Sequence, residues 1–129
     1  MRLLLASALA GALLGGCDTA PASDANLVNA WVLISGSAAE GAEVGFGPGA
    51  LFGASPVCNS FGGSYSATPD RQIAIDVDGG SRVLCSGDGN EAEVAFLNAV
   101  ESAETYEVSG DRLTLRGAGV RLVFRLRPE

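Results

Sequence analysis

The sequence predicts an α+β domain: an antiparallel curved sheet, or partly open barrel, of about eight short strands with one helix packed on it. Three observations predict this. From residue 30 onward the apolar segments are short and separated by Gly, Asn, Asp and Pro, the punctuation of strands joined by tight turns. Two late segments alternate: Leu113 and Leu115 lie between Arg112, Thr114 and Arg116, and Leu122, Phe124 and Leu126 between Arg121, Val123, Arg125 and Arg127. Only 90–103 carries apolar residues at helical spacing. A single helix among strands must cover one face or end of the sheet.

The elements follow in chain order. Residues 1–16 read as an export signal, with the positive charge of Arg2 ahead of an apolar run over 3–14. That run is shorter than the roughly 18 residues a spanning helix needs. Leu14-Gly15-Gly16-Cys17 resembles the bacterial lipobox, which implies cleavage before Cys17 and acylation of its thiol. A plain secretory signal cut beside a free cysteine is the alternative, disfavoured because an unpaired thiol is an unfavourable thing to export. Residues 17–26 are polar, small and aperiodic, a lipidated N-terminus and tether whose nine residues after Cys17 reach about 30 Å when extended. Residues 27–129 then form one domain, with expected strands at 30–35, 43–46, 51–54, 62–67, 72–77, 82–85, 105–108, 111–116 and 120–127. The last two make a hairpin through Gly117-Ala118-Gly119. In the helix, Asn90 is the expected N-cap, with Glu93 three residues on completing a capping box. Val94, Leu97 and Val100, flanked by Phe96, form its expected apolar stripe.

Composition excludes several classes. The formal net charge is −7, all eight basic residues are Arg, and there is no His. A net negative field does not attract nucleic acid. Without His or Lys, the Ser-His-Asp, Cys-His and Ser-Lys arrangements cannot be assembled within the chain, and neither a phosphate loop nor a dinucleotide fingerprint occurs. The expectation is a monomeric, non-catalytic protein without cofactor or bound metal. Once Cys17 is acylated, Cys58 and Cys85 remain as a pair, and in an oxidising compartment a disulfide is favoured over a reactive or metal-binding pair. Closing that loop stabilises the fold by roughly 3.5 kcal/mol on the chain-entropy estimate.

Trp31 with Leu33, Phe46, Gly53, the run Cys58-Asn59-Ser60-Phe61-Gly62-Gly63-Ser64-Tyr65, Cys85, Glu93 with Phe96, and the Leu113 to Phe124 hairpin fall in one order. In this the chain resembles the META domain family, which includes the bacterial heat-shock protein HslJ. The most specific element is the Cys-Asn-x-Phe-x-Gly-x-Tyr run with its second Cys, and the resemblance spans about 27–127. It implies a compact antiparallel sheet or barrel with one helix, a periplasmic or surface location, no established catalysis, and links of some members to stress tolerance or antibiotic resistance. The family usually places Gly before Cys-Asn; here Pro56-Val57 stands there, so a differently built turn is expected.

Three groups are candidate sites. Asn59, Phe61, Gly63 and Tyr65 offer amide and aromatic surface for a ligand, but each also has a folding role, and architecture is the favoured reading. Asp76 with Asp78, and Asp88 to Glu91, supply oxygens without completing a calcium loop, which favours solvated turns. Arg112, Arg116, Arg121, Arg125 and Arg127 should project from one face of two neighbouring strands. Either Glu107, Asp111 and other carboxylates neutralise them, or part of the stripe faces an anionic lipid, a glycan or an acidic envelope protein.

The resulting expectation is a lipid-anchored protein on the periplasmic side of the cell envelope, acting as a binding or stress-protective module. An inhibitor of wall-degrading enzymes such as lysozyme, and a carboxylate-based hydrolase, are the alternatives. Asp18 resembles the inner-membrane retention signal of enteric bacteria, a rule that varies among bacteria.

Overall fold

The alternating residues of the C-terminal hairpin set the frame. In the computed structural model, which describes residues 24–128, β7 (Arg112–Gly117) and β8 (Val120–Leu126) pair antiparallel with Leu113 opposite Phe124 and Leu115 opposite Leu122. All four side chains are fully buried, each contributing roughly 1.5–3 kcal/mol of apolar transfer. The export signal, Cys17 and residues 18–23 of the tether lie outside the described residues.

Six further strands complete one sheet: β1 (Ala30–Ser35), β2 (Glu43–Phe46), β3 (Leu51–Ser55), β4 (Phe61–Ala67), β5 (Ile73–Gly80) and β6 (Ala103–Ser109). Their order is β5-β4-β3-β2-β1-β8-β7-β6, with every neighbouring pair antiparallel. The sheet curls until its outer strands nearly meet: Gln72 bridges Thr105, and the Tyr106 N–H donates to the Arg71 carbonyl at 3.0 Å. The result is a half-barrel filled by Trp31, Leu33, Val44, Phe46, Tyr65, Ile75 and the hairpin leucines. Phe46 packs edge-on against Tyr65 at 4.9 Å, and the Trp31 indole N–H donates to the Leu27 carbonyl at 3.0 Å.

The helix α1 (Gly89–Glu101) joins the end of β5 to the start of β6 and plugs that end of the half-barrel, with Phe96 edge-on to Phe124 at 6.3 Å. Residues 24–29 close the other end, where the Phe46 N–H donates to the Asn29 carbonyl. No helix among the described residues is long and apolar enough to cross a membrane.

Several expectations are corrected. Residues 82–85 are not a strand; their backbone groups bond the side chains of Asn59 and Asn90 instead of a neighbouring strand, and Leu84 is 88% exposed. The helix begins at Gly89 and ends at Glu101, with Asp88 at the N-cap position and no side-chain cap. Asn90 does not cap because its amide is held by Cys85 N–H and the Val83 carbonyl, and Glu93 makes no capping box because it is buried among other donors. Its inner face is Glu93, Phe96 and Val100, while Val94 is 58% exposed and Leu97 only partly buried. The domain also begins before residue 27: Asp24 accepts from Asn26 N–H and from the Tyr106 hydroxyl, so 24–26 belong to the fold and not to the tether.

Candidate functional site

The residues of the Cys58-Asn59 motif meet α1 at the plugged end. Glu93, one turn into the helix on the same face as Phe96 and Val100, is carried into the interior at 3% exposure. A carboxylate can be buried only if its charge is matched by donors. Here Oε2 accepts three successive backbone N–H groups, Val57 at 3.3 Å, Cys58 at 2.9 Å and Asn59 at 2.8 Å. Oε1 accepts the Asn59 side-chain amide at 2.8 Å. Burial raises the Glu93 pKa, but the Asn59 amide and the three backbone N–H groups outweigh it and hold the group below its ordinary value. None of residues 56–59 has a positive φ, so the turn needs no glycine, and the N–H groups of 57–59 fan around one oxygen.

Asn59, itself 5% exposed, spends its whole amide on this junction. Its nitrogen donates to Glu93 and to the Val83 carbonyl at 2.9 Å, and its oxygen accepts from Val83 N–H at 2.7 Å and from the Ser81 hydroxyl at 2.9 Å. None of these partners is local, so Asn59 is a cross-brace between loop 81–85, the β4 entry and α1. Tyr65 lies farther along β4, buried, with its hydroxyl donating to the Gly47 carbonyl at 3.0 Å. Phe61 is half-buried, and Gly63 sits where a Cβ would lie 2.0 Å from the Asp76 carbonyl oxygen.

A disulfide joins Cys58 to Cys85 across the same junction. Among the described residues, the one group of three cysteine or carboxylate ligand atoms within 4.8 Å of each other is Cys58, Cys85 and Glu93. The Asn59 amide nitrogen stands among them, 3.6 and 4.0 Å from the two sulfurs and 2.8 Å from the carboxylate, in the space a cation would need. Beside it runs an apolar groove of about 340 Å³ walled by Phe61, Val83, Leu84, Val94 and Leu97. The acidic pairs at 76/78 and 88/91 do not converge on one another.

The five arginines divide. Arg112 lies 3.9 Å from Asp111, Arg116 3.6 Å from Glu107, and Arg127 donates to Glu43 at 3.0 Å. Arg121 and Arg125 have no ion pair among the described residues, and they stand directly opposite Arg116 and Arg112 in the β7–β8 register.

Glu93 is the functional residue that sequence reasoning misplaced, although one signal was present: a carboxylate spaced i, i+3, i+7 with Phe96 and Val100 on an apolar face. These features define a disulfide-stapled antiparallel half-barrel, one end closed by a helix whose carboxylate latches the β4 entry. The chain belongs to the META domain family, which matches residues 25–129. A DUF4847 family protein from Bacteroides vulgatus is similar in structure, with 15% identity, TM-score 0.61, and 81% of this chain and 96% of the other covered. A Burkholderia xenovorans protein solved by NMR has 21% identity and TM-score 0.65 over 87% of this chain and 96% of its own. At such identities the likeness establishes the fold alone. No curated protein matches the sequence.

Proposed function

We propose that the protein is a non-catalytic, lipid-anchored envelope module of META type that binds an anionic headgroup or glycan through the open part of its arginine face. The observation that carries this reading is the pair Arg121 and Arg125. In a chain of net charge −7, five of the eight basic residues fall within β7, β8 and the residue after, and these two have no ion-pair partner among the described residues. Direct cross-strand opposition of like charges destabilises a sheet, and Asp111 and Glu107 neutralise only one member of each pair, which leaves Arg121 and Arg125 available to an external anion. Cleavage and acylation at Cys17 would leave only residues 18–23 as tether, a reach of about 20 Å, which holds the domain against a membrane surface. The absence of His and Lys supports a non-catalytic role.

Cosedimentation with vesicles containing anionic phospholipid, at low and at raised salt, tests the proposal. Arg121→Glu with Arg125→Glu should abolish binding while the far-UV spectrum and melting temperature are retained. Unchanged binding by a folded double variant removes the proposal.

A further inference from the structure

We propose that Cys58–Cys85 is an exchange site for an external dithiol, with Cys58 Sγ as the attacked atom and Cys85 as the leaving thiolate. Three independent observations lead there. The first is access: Cys58 is exposed and Cys85 only partly buried, with exposed Val57, Val83 and Leu84 around them.

The second is that hydrogen bonds hold the two cysteine segments in addition to the sulfur–sulfur bond. The Cys58 and Asn59 N–H groups are held by Glu93, the Val83 N–H and carbonyl by Asn59, the Ser81 N–H by the Ser60 carbonyl, and the Cys85 N–H by Asn90. Each cysteine is therefore fixed by its own backbone partner. Opening the bond leaves two thiols side by side in an intact fold, ready to close again.

The third is the environment of Cys85. Both amide hydrogens of Asn59 are taken by Glu93 and Val83, so its approaches to sulfur are contacts only. Asn90 differs: its nitrogen lies 3.6 Å from Cys85 Sγ and 3.3 Å from the Val83 carbonyl, leaving one hydrogen for the sulfur. The sulfur also sits at the N-terminus of α1, where a Cβ on Gly89 would come within 2.6 Å of Cys85 Cβ and 3.5 Å of its Sγ. A donor and a helix N-terminus both stabilise a thiolate. The Glu93 carboxylate lies within 4.8 Å of both sulfurs, with its charge taken up by four donors.

In the first step an incoming thiolate bonds to Cys58 Sγ as the Cys58–Cys85 bond breaks, its electron pair leaving on Cys85 Sγ. The second thiol of the same partner then attacks the mixed disulfide, and the electron pair leaves on Cys58 Sγ. The partner loses two electrons and becomes a disulfide; the two cysteines gain them, and the partner's two protons pass to the cysteines or to solvent.

The test equilibrates the intact protein with dithiothreitol and, separately, with millimolar glutathione buffers, reading the reduced fraction by alkylation and mass spectrometry and the fold by near-UV dichroism. Full reduction with the dichroism unchanged is expected, and Asn90→Asp, which keeps the acceptor for Cys85 N–H but loses the donor, should lower the ratio of reduced to oxidised protein about tenfold or more. Should that variant misfold, the site of attack still decides: a glutathione adduct trapped on the folded wild type is expected on Cys58, as the mixed disulfide of the first step. A disulfide that yields only as the fold is lost, a ratio unmoved in folded Asn90→Asp, or a glutathione adduct on Cys85 and not on Cys58 would each overturn the proposal.

Discussion

Replacing Glu93 with alanine should be among the most damaging single changes available in this protein, and its cost can be worked from the contacts. Four donors converge on the carboxylate. The Val57 N–H, the longest of the four contacts at 3.3 Å, loses least and can turn to water. The Cys58 N–H, the Asn59 N–H and the Asn59 amide, at 2.8–2.9 Å, would lose a charged acceptor. At about 1–3 kcal/mol for each buried donor left unmatched, with water entering the vacated space and offsetting part, the loss comes to about 3–5 kcal/mol. Glu93→Gln should cost somewhat less, about 2–4 kcal/mol, since one oxygen survives while the new NH₂ faces other donors. Urea denaturation at neutral pH, followed by fluorescence of Trp31 and by far-UV dichroism, measures both. The pH dependence gives a second reading. Because the folded-state pKa lies below the ordinary value of 4.5, the carboxylate's contribution is complete above that pH and is lost as pH falls through the folded value. The gap between wild type and Glu93→Gln should therefore close on acidification. A folded Gln variant within about 0.5 kcal/mol of wild type at neutral pH, or a gap that does not narrow in acid, would refute the latch.

Two further changes probe the sheet. Gly63→Ala would drive a Cβ to 2.0 Å from the Asp76 carbonyl oxygen and force β4 from β5, costing about 2–3 kcal/mol, whereas Gly62→Ala meets nothing within 4 Å and should stay within about 0.5 kcal/mol; thermal melts of the pair that do not separate would show that close approach is not the constraint. Tyr106 is pushed up to about 12, by burial first and then by its hydrogen bond to Asp24. A raised folded pKa means that its contribution is complete below pH 10.0 and lost as pH rises through about 12, so Tyr106→Phe should flatten the alkaline fall in stability; phenolate absorbance showing Tyr106 titrating at its ordinary value would contradict this.

What the sequence reveals and what it hides divide along one physical line. The β7–β8 hairpin is legible because its periodicity is dictated by a single requirement, one face in and one face out, which Leu113, Leu115, Leu122 and Phe124 meet without competition. The helix is legible as an element for the same reason. Its caps are not, because Asn90 and Glu93 have the spacing of local capping and are instead claimed by partners elsewhere, Asn90 by loop 83–85 and Glu93 by donors some 34 to 36 residues away. Residues 82–85 mislead in the same way: Val83 and Leu84 have strand propensity, yet the groups that pair with their backbone are side-chain amides, which mimic a strand edge without providing one. The arginine face shows the limit most plainly. Local sequence offers Asp111 to Arg112, but the pairing of Arg127 with Glu43 depends on β1 lying between β8 and β2, and the exclusion of Arg121 and Arg125 from any pair among the described residues depends on the same strand order. Where a polar residue's partner is set by strand order, it becomes readable only once that order is known; the candidate site consists almost wholly of such residues.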